Sequence, residues 1–356
     1  MKPLISILVD TYNHERYIEQ TLTSVVEQGL PAAEMEVVVV DDGSTDRTPE
    51  IVAKFAPRVR VVRKKNGGQA SAFNAGFAEC KGELVAILDG DDWFEKGKIA
   101  AVLEALEHNH EVAAVSHAYY EFFEETKELK VCGPAQRTEL NLGTPEAARA
   151  ALDCWHFLPM GALTVRRKLL ERIMPIPEAL IFSADNPIQV AAMAMRVLVL
   201  ETPLSYYRRH PDNLYAIDGA DGRKVRRKCE MVDLSYSLIA PMLERLGVRK
   251  ECVSALLDPN WVEVNRFCLR TFGGSPLKTF RTEMMDFRQE NKKATVGYLF
   301  FKYCVAGAAM LLLPPRKFYQ LRDWYAHEEV GRHRERLFRA GEERKKTVPR
   351  AGRGTP

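Results

Sequence analysis

The run Val85-Ala86-Ile87-Leu88, followed at once by Asp89-Gly90-Asp91-Asp92-Trp93, limits the fold more than any other stretch of the 356-residue chain. An uninterrupted apolar run reads as an interior parallel strand, because both faces of such a strand are covered. Open α/β sheets bind ligands at the carboxyl ends of their strands. Three carboxylates crowded there repel one another unless a cation or a hydrogen-bonding ligand sits among them. Oxygen ligation suits Mg²⁺ or Mn²⁺, with a bound diphosphate completing the shell. A solvated acidic turn is the alternative reading of an isolated Asp-x-Asp.

The surroundings of the run argue for the ligand. Residues 4–9 form an apolar strand ending at Asp10-Thr11-Tyr12-Asn13, and a helix with Ile18, Leu22, Val25 and Val26 on one face stops at Gly29. A second strand over 35–40 ends at Asp41-Asp42-Gly43-Ser44, and Thr48-Pro49-Glu50 opens the next helix. A short strand over 59–62, the loop Asn66-Gly67-Gly68 and a helix from Ala70 lead back to the Asp89 strand. Strand and helix alternate with short connections, which predicts a doubly wound α/β unit with a mostly parallel sheet. Asp10, Asp41 and Asp89 then share one rim. Further on, the pattern predicts a helix over 97–109, strands over 112–120, 160–165 and 197–200, and a helix over 187–195. After about residue 222 it predicts long helices over 224–246, 251–272 and 275–291.

The formal charge of +3 is small, and residues 331–356 hold nine Lys and Arg against three Glu. The body of the chain therefore lacks a nucleic-acid footprint. Seven cysteines without a CxxC spacing give neither a zinc site nor a disulfide framework and point to a reducing compartment. With no secretory signal pattern at the start, the expected location is cytoplasmic, or peripheral on the cytoplasmic face of a membrane.

Residues 4–92 resemble the family 2 inverting glycosyltransferases of GT-A fold. The resemblance is carried by Ser6 to Asn13 with Tyr17-Ile18, by Ser24 to Gln28, and by Val40-Asp41-Asp42-Gly43-Ser44-Thr45-Asp46. It continues through Asn66-Gly67-Gly68, Asn74-Ala75-Gly76 and Gly82 to Asp92. It implies a nucleotide-sugar donor, with UDP-sugar favoured, and a glycan or lipid-linked acceptor in cell-surface polysaccharide synthesis. Thr11 and Tyr12 would line the base pocket, Asp41 would accept from the base, and Asp89 would sit near the ribose. Asp91, with Asp92, would hold Mn²⁺ or Mg²⁺ at the diphosphate. Asp10 departs from the pattern, where Pro is usual; it either repels phosphate or caps a turn.

An inverting transfer needs a base for the acceptor hydroxyl. In the family this is an Asp opening a late helix, a place taken here by Asp185, with Ala184 where the family often has Glu. A plain helix cap before Pro187 is the alternative. Tyr207-Arg208-Arg209-His210 is similar to the closing element of the family: Arg208 would neutralise phosphate and His210 would ligate the ion, or His210 is structural. Trp93 and Trp155 are candidate acceptor platforms, or core aromatics.

The expected organisation is a catalytic domain over 1–222, a helical region over 223–330, and a basic, disordered tail over 331–356. The apolar stretch 296–313 has basic flanks and is read as a membrane-surface helix contacting anionic lipid; a core helix and a true span are the alternatives. Two rival functions stand beside the transferase. One is a non-catalytic sugar-nucleotide-binding scaffold. The other is a sugar nucleotidyltransferase, which would want an early Gly-rich basic loop that 4–16 lacks.

Overall fold

The computed structural model describes residues 3–180, 184–211, 213, 222–290 and 306–324. The amino-terminal elements fall where the apolar runs and Gly, Pro and Asp breaks put them: β1 (Ile5–Thr11), α1 (Ile18–Val26), β2 (Met35–Asp41), α2 (Thr48–Ala53), β3 (Arg60–Arg63), α3 (Gln69–Glu79) and β4 (Leu84–Asp89). There follow β5 (Trp93–Phe94), α4 (Lys98–His108), β6 (Ala114–His117), β7 (Tyr119–Phe123), β8 (Leu129–Cys132), β9 (Thr138–Leu140) and α5 (Pro145–Asp153). Two short 3₁₀ turns, Trp155–Phe157 and Met160–Ala162, lead to β10 (Thr164–Arg166), α6 (Arg167–Ile173), α7 (Asn186–Ala194), β11 (Val197–Leu200) and β12 (Ser205–Arg209). The rest is helical: α8 (Gly222–Arg245), α9 (Lys250–Phe272), α10 (Pro276–Glu290), and residues 306–312 and 315–324.

Eight strands form the main sheet in the order β3-β2-β1-β4-β10-β6-β11-β9. Only β10 and β9 run antiparallel to their neighbours, so the sheet is mostly parallel as expected. Alternation along β1 and β2 sends Leu8, Val38 and Val40 into one apolar layer and Ile7, Val9, Val37 and Val39 into the other. Both faces are therefore covered. Helix α3 lies close on β1 and β2 because Gly76 has no side chain; a Cβ there would stand 2.1 Å from Leu8 Cδ1.

The expected strand over 112–120 breaks at Ala118, where the chain leaves the main sheet. A second, four-stranded sheet, β5-β12-β7-β8, starts there. It has no counterpart in the sequence reading. The change to helical structure does come at Gly222, but Ile239, Met242, Leu243, Cys252 and Leu256 join the core of the first unit, which continues to Trp261.

In the second unit, Leu269, Met310, Phe318 and Tyr319 make a small core. Glu283 gathers both Arg266 nitrogens (2.8 and 2.9 Å), the Tyr319 hydroxyl (2.9 Å) and Arg322. Cys80, Cys132, Cys154 and Cys252 are free thiols, whereas Cys268 is disulfide-bonded, against the expectation from cysteine spacing. Residues 296–305 of the apolar stretch and the whole 331–356 tail lie outside the described residues. Among those described, no helix is long and apolar enough to cross a membrane.

Candidate active site

The parallel register sets Asp10 beside Asp89 and Thr11 beside Asp41 at the carboxyl ends of β1, β2 and β4. Asp41 is 1% exposed. Its Oδ1 accepts from the Ser44 N–H at 2.8 Å; its Oδ2 lies 3.3 Å from Arg63 Nε without hydrogen-bond alignment and is otherwise unpaired. A buried carboxylate oxygen with no aligned donor is set to accept from a ligand. Tyr12, next to buried Thr11, is 43% exposed, so its ring is open to a stacking partner.

Asp42 does something else. Its carboxylate accepts from the backbone N–H of Gly67 (3.1 Å) and Gly68 (2.7 Å) and from Lys64 Nζ (2.6 Å). It clamps the Asn66-Gly67-Gly68 loop, in which Gly68 has φ +84, a value that glycine adopts without strain. The clamp aims Gln69, whose Nε2 donates to Asp89 Oδ1 at 3.1 Å. Asp42→Ala should strand those buried donors and destabilise the fold by roughly 1–3 kcal/mol; urea unfolding measures it, and an unchanged midpoint would mean the loop holds itself.

The acids at the rim are not equivalent. Burial raises Asp91, but the hydrogen bond from His210 and the charges of His14 and His210 outweigh burial and hold its carboxyl below the ordinary value. His210 Nε2 is 2.9 Å from Asp91 Oδ2, Asn213 Nδ2 is 3.4 Å away and His14 Nε2 is 4.0 Å away. Burial, then the charges of Asp91 and Asp185, push Asp89 up to about 7. Burial and the neighbouring charges of Asp89 and Asp91 raise Asp10 well above the carboxylate range. Asp10 therefore stands beside Asp89 at the rim.

Asp92, expected as a second metal ligand, is buried with one carboxylate oxygen already engaged. Its Oδ1 accepts from the Arg208 N–H at 2.8 Å, and burial with the charges of Asp91 and Asp89 raises its carboxyl well above the ordinary value. It ties β12 to the end of β4. Arg208 is also corrected. It is 4% exposed, with Nε on the Asp91 carbonyl (2.8 Å), one terminal nitrogen on Glu124 (2.7 Å) and the other on Gln20 (2.6 Å). Its guanidinium lies 4.6 Å from the Tyr17 ring centre and 4.5 Å from that of Trp93. Each of its three nitrogens thus donates to a protein acceptor.

Trp93 in turn stacks on Tyr206 at 4.5 Å and 7°. Two groups at such distance over one ring need its two faces, so Trp93 cannot also stack on a sugar. The acceptor-platform expectation for Trp93 is therefore withdrawn. Trp155 donates its indole N–H to Gln189 Oε1 at 2.6 Å and packs on the first apolar layer.

Asp185 precedes α7 in a helical conformation, and its side chain makes no capping hydrogen bond. The cap alternative is not realised. Its Oδ2 lies 3.3 Å from Gln189 Nε2. Ala184 is fully buried. Sequence reading missed His14, Asn213 and Gln189; the only local hint was His14, three residues after Thr11.

The residues present fit a divalent cation. Among the described residues no three His, Cys, Asp or Glu side chains enclose a metal by themselves. Mg²⁺ and Mn²⁺ at a diphosphate take one or two protein ligands and complete their shell with phosphate oxygens and water. Asp91 and His210 supply a carboxylate and an imidazole of that kind, and His210 Nδ1 is a buried nitrogen without a partner.

A family model described as Glycosyl transferase family 2 matches residues 6–174. Residues 6–174 are a family 2 glycosyltransferase domain. The uncharacterized glycosyltransferase alr2836 of Nostoc sp. is 28% identical over 250 residues, covering 68% of this chain and 76% of that protein. The uncharacterized glycosyltransferase EpsJ of Bacillus subtilis is 30% identical over 231 residues, 61% of this chain and 64% of that protein. TarS of Staphylococcus aureus, a poly(ribitol-phosphate) beta-N-acetylglucosaminyltransferase, is 35% identical over 109 residues, 30% of this chain and 19% of that protein. The solved structure of TarS 1-349 in complex with UDP has a TM-score of 0.51 at 22% identity, covering 83% of this chain and 95% of that one. The glycosyltransferase shares the GT-A fold with it.

Proposed function

We propose that this glycosyltransferase moves a sugar, with inversion, from a nucleoside diphosphate donor to a hydroxyl of a glycan or lipid-linked acceptor. A UDP-sugar is the favoured donor, and a divalent cation, Mn²⁺ or Mg²⁺, is the cofactor. The observation that supports the reading is a buried Asp41 oxygen without a hydrogen bond at the end of β2, with the Asp91 carboxylate beyond the end of β4, 2.9 Å from His210 Nε2. Asp41 with Thr11 and Tyr12 would take the base, Asp89 the ribose, and Asp91 with His210 the cation. The cation would offset charge on the departing diphosphate. The acceptor oxygen attacks the anomeric carbon as the bond to the diphosphate breaks; the electron pair leaves with the diphosphate and the hydroxyl proton passes to Asp185. The name of TarS, an N-acetylglucosaminyltransferase, supports an N-acetylhexosamine among the sugars to test.

The test is a thermal-shift screen of UDP, GDP and their sugar conjugates, each with and without Mn²⁺. A ligand at a hundred times its Kd stabilises the folded state by about 2.7 kcal/mol. The expected pattern is a shift for a nucleoside diphosphate that needs the metal, followed by slow release of free sugar from its conjugate. Binding without any turnover would favour the scaffold reading instead.

The membrane reading continues as part of this proposal. Leu312 is 81% exposed, and Leu311, Leu321 and Trp324 are about half exposed, on helical residues 306–312 and 315–324 that also carry Arg316 and Lys317. Apolar side chains beside basic ones suit an anionic lipid surface. The full-length protein should sediment with vesicles containing phosphatidylserine, and Leu311→Glu with Leu312→Glu should release most of it. Equal sedimentation of the double variant would remove 306–324 from the membrane reading.

A further inference from the structure

Gln189 lies one helical turn after Asp185 on α7, so the two side chains share a face. It is 5% exposed and fully engaged. Its Oε1 accepts from Trp155 Nε1 at 2.6 Å, while its Nε2 donates to the Leu158 carbonyl at 2.8 Å and to Asp185 Oδ2 at 3.3 Å. The orientation of an amide is normally an assignment, because its oxygen and nitrogen look alike. Here two partners fix it. An indole N–H can only donate, and a backbone carbonyl can only accept. A flipped amide would set N–H against N–H and C=O against C=O in a buried place. The remaining amide hydrogen therefore has one direction left, toward Asp185.

Each support is itself immobile. Leu158 is fully buried and ends the 3₁₀ turn Trp155–Phe157, its N–H bonded to the Trp155 carbonyl at 3.0 Å. Trp155 and Leu158 thus come from one turn, packed on the apolar layer that also buries Val190 and Met193 of α7. Helix α7 and the turn are joined through the single amide of Gln189.

We propose that Gln189 is a positioning residue for transfer: locked by Trp155 and Leu158, its amide holds the Asp185 carboxylate toward the acceptor side. This deepens the reading of Asp185 as the base and rests on it. Trp155, read from sequence as an acceptor platform, acts here through Gln189. Gln189 touches neither donor nor reacting atoms, so its loss should appear in turnover and not in donor affinity.

The test uses full-length protein and the sugar nucleotide hydrolysed fastest in the Mn²⁺ screen above. Gln189→Met keeps length and burial but removes the amide. Its kcat should fall roughly 10–100-fold, the range for losing a hydrogen bond to a charged group, while the donor KM stays within about twofold. Trp155→Phe, which leaves the amide in place but unpinned, should lower kcat less and in the same direction. The deciding comparison is a double-mutant cycle. In an Asp185→Asn background, Gln189→Met should cost nothing further. A loss of full size in that background, or a donor KM that rises as much as kcat falls, would make Gln189 a packing residue and overturn the proposal. Normal kcat in Gln189→Met does the same. If Asp185→Asn alone keeps wild-type turnover, the base reading itself fails, an outcome told apart because it needs no change at Gln189.

Discussion

Asp91→Asn is expected to fold normally and to lose Mn²⁺-dependent donor binding altogether. Asn is nearly isosteric and its Oδ1 can still accept from His210, now at 2.9 Å from Oδ2 of the carboxylate. What it cannot supply is the negative charge. Asp91 is the one rim acid held below the ordinary carboxylate value, while Asp10, Asp89 and Asp92 are all raised. The variant removes the carboxylate charge that stands 2.9 Å from His210 Nε2. A donor at a hundred times its Kd gives the wild type about 2.7 kcal/mol, which is roughly 5–10 °C for a domain of this size. The variant should show almost none of that shift with metal and the same small response without it. A variant whose donor shift keeps its metal dependence would move the cation away from Asp91.

The rim itself was legible because its signals are local. An apolar run ending in Asp marks a strand end without any knowledge of what lies beside it. Three such runs with helices between them fix which ends share a rim. Asp10, Asp41 and Asp89 came from that reasoning, and the register bears out their adjacency. The role of Asp42 was half legible. An Asx turn predicts a bond to nearby backbone, but the N–H groups it takes belong to Gly67 and Gly68, 25 and 26 residues on.

The misreadings share one physical cause. Trp93 and Arg208 each looked like ligand groups because an exposed ring and a cation near a motif usually are. Their commitments come from a strand pairing across more than a hundred residues: β12 lies antiparallel to β5, with Tyr206 opposite Trp93. That pairing places Arg208 over the indole and its N–H on Asp92. Nothing local encodes it, since β5 has two residues and no periodicity. Asn213, His14 and Gln189 were missed for the same reason. Each is an ordinary polar residue in sequence, and each becomes a site residue only through a partner set by tertiary packing.

Asp185→Asn is expected to leave fold and donor affinity intact and to lower transfer by roughly 10²–10⁴, the general-base factor. The acceptor oxygen must lose its proton as it bonds to the anomeric carbon, and the acids nearest the diphosphate are already committed. Asp91 is the proposed cation ligand, Asp92 accepts from the Arg208 N–H, and Asp10 is raised beside Asp89. Asp185 is the carboxylate among the motif residues that is left for the acceptor. Stability should barely move, because the side chain makes no capping bond whose loss would unwind α7. Asn keeps an oxygen for the Gln189 amide, so the neighbouring turn stays in place as well. The measurement is the rate of donor turnover at saturating nucleotide sugar, compared with the metal-dependent thermal shift of the same sample. A normal shift with lost turnover separates the chemical step from binding. Near-normal turnover would leave Asp185 without a chemical role and send the search for the base to another group on the acceptor side of the rim.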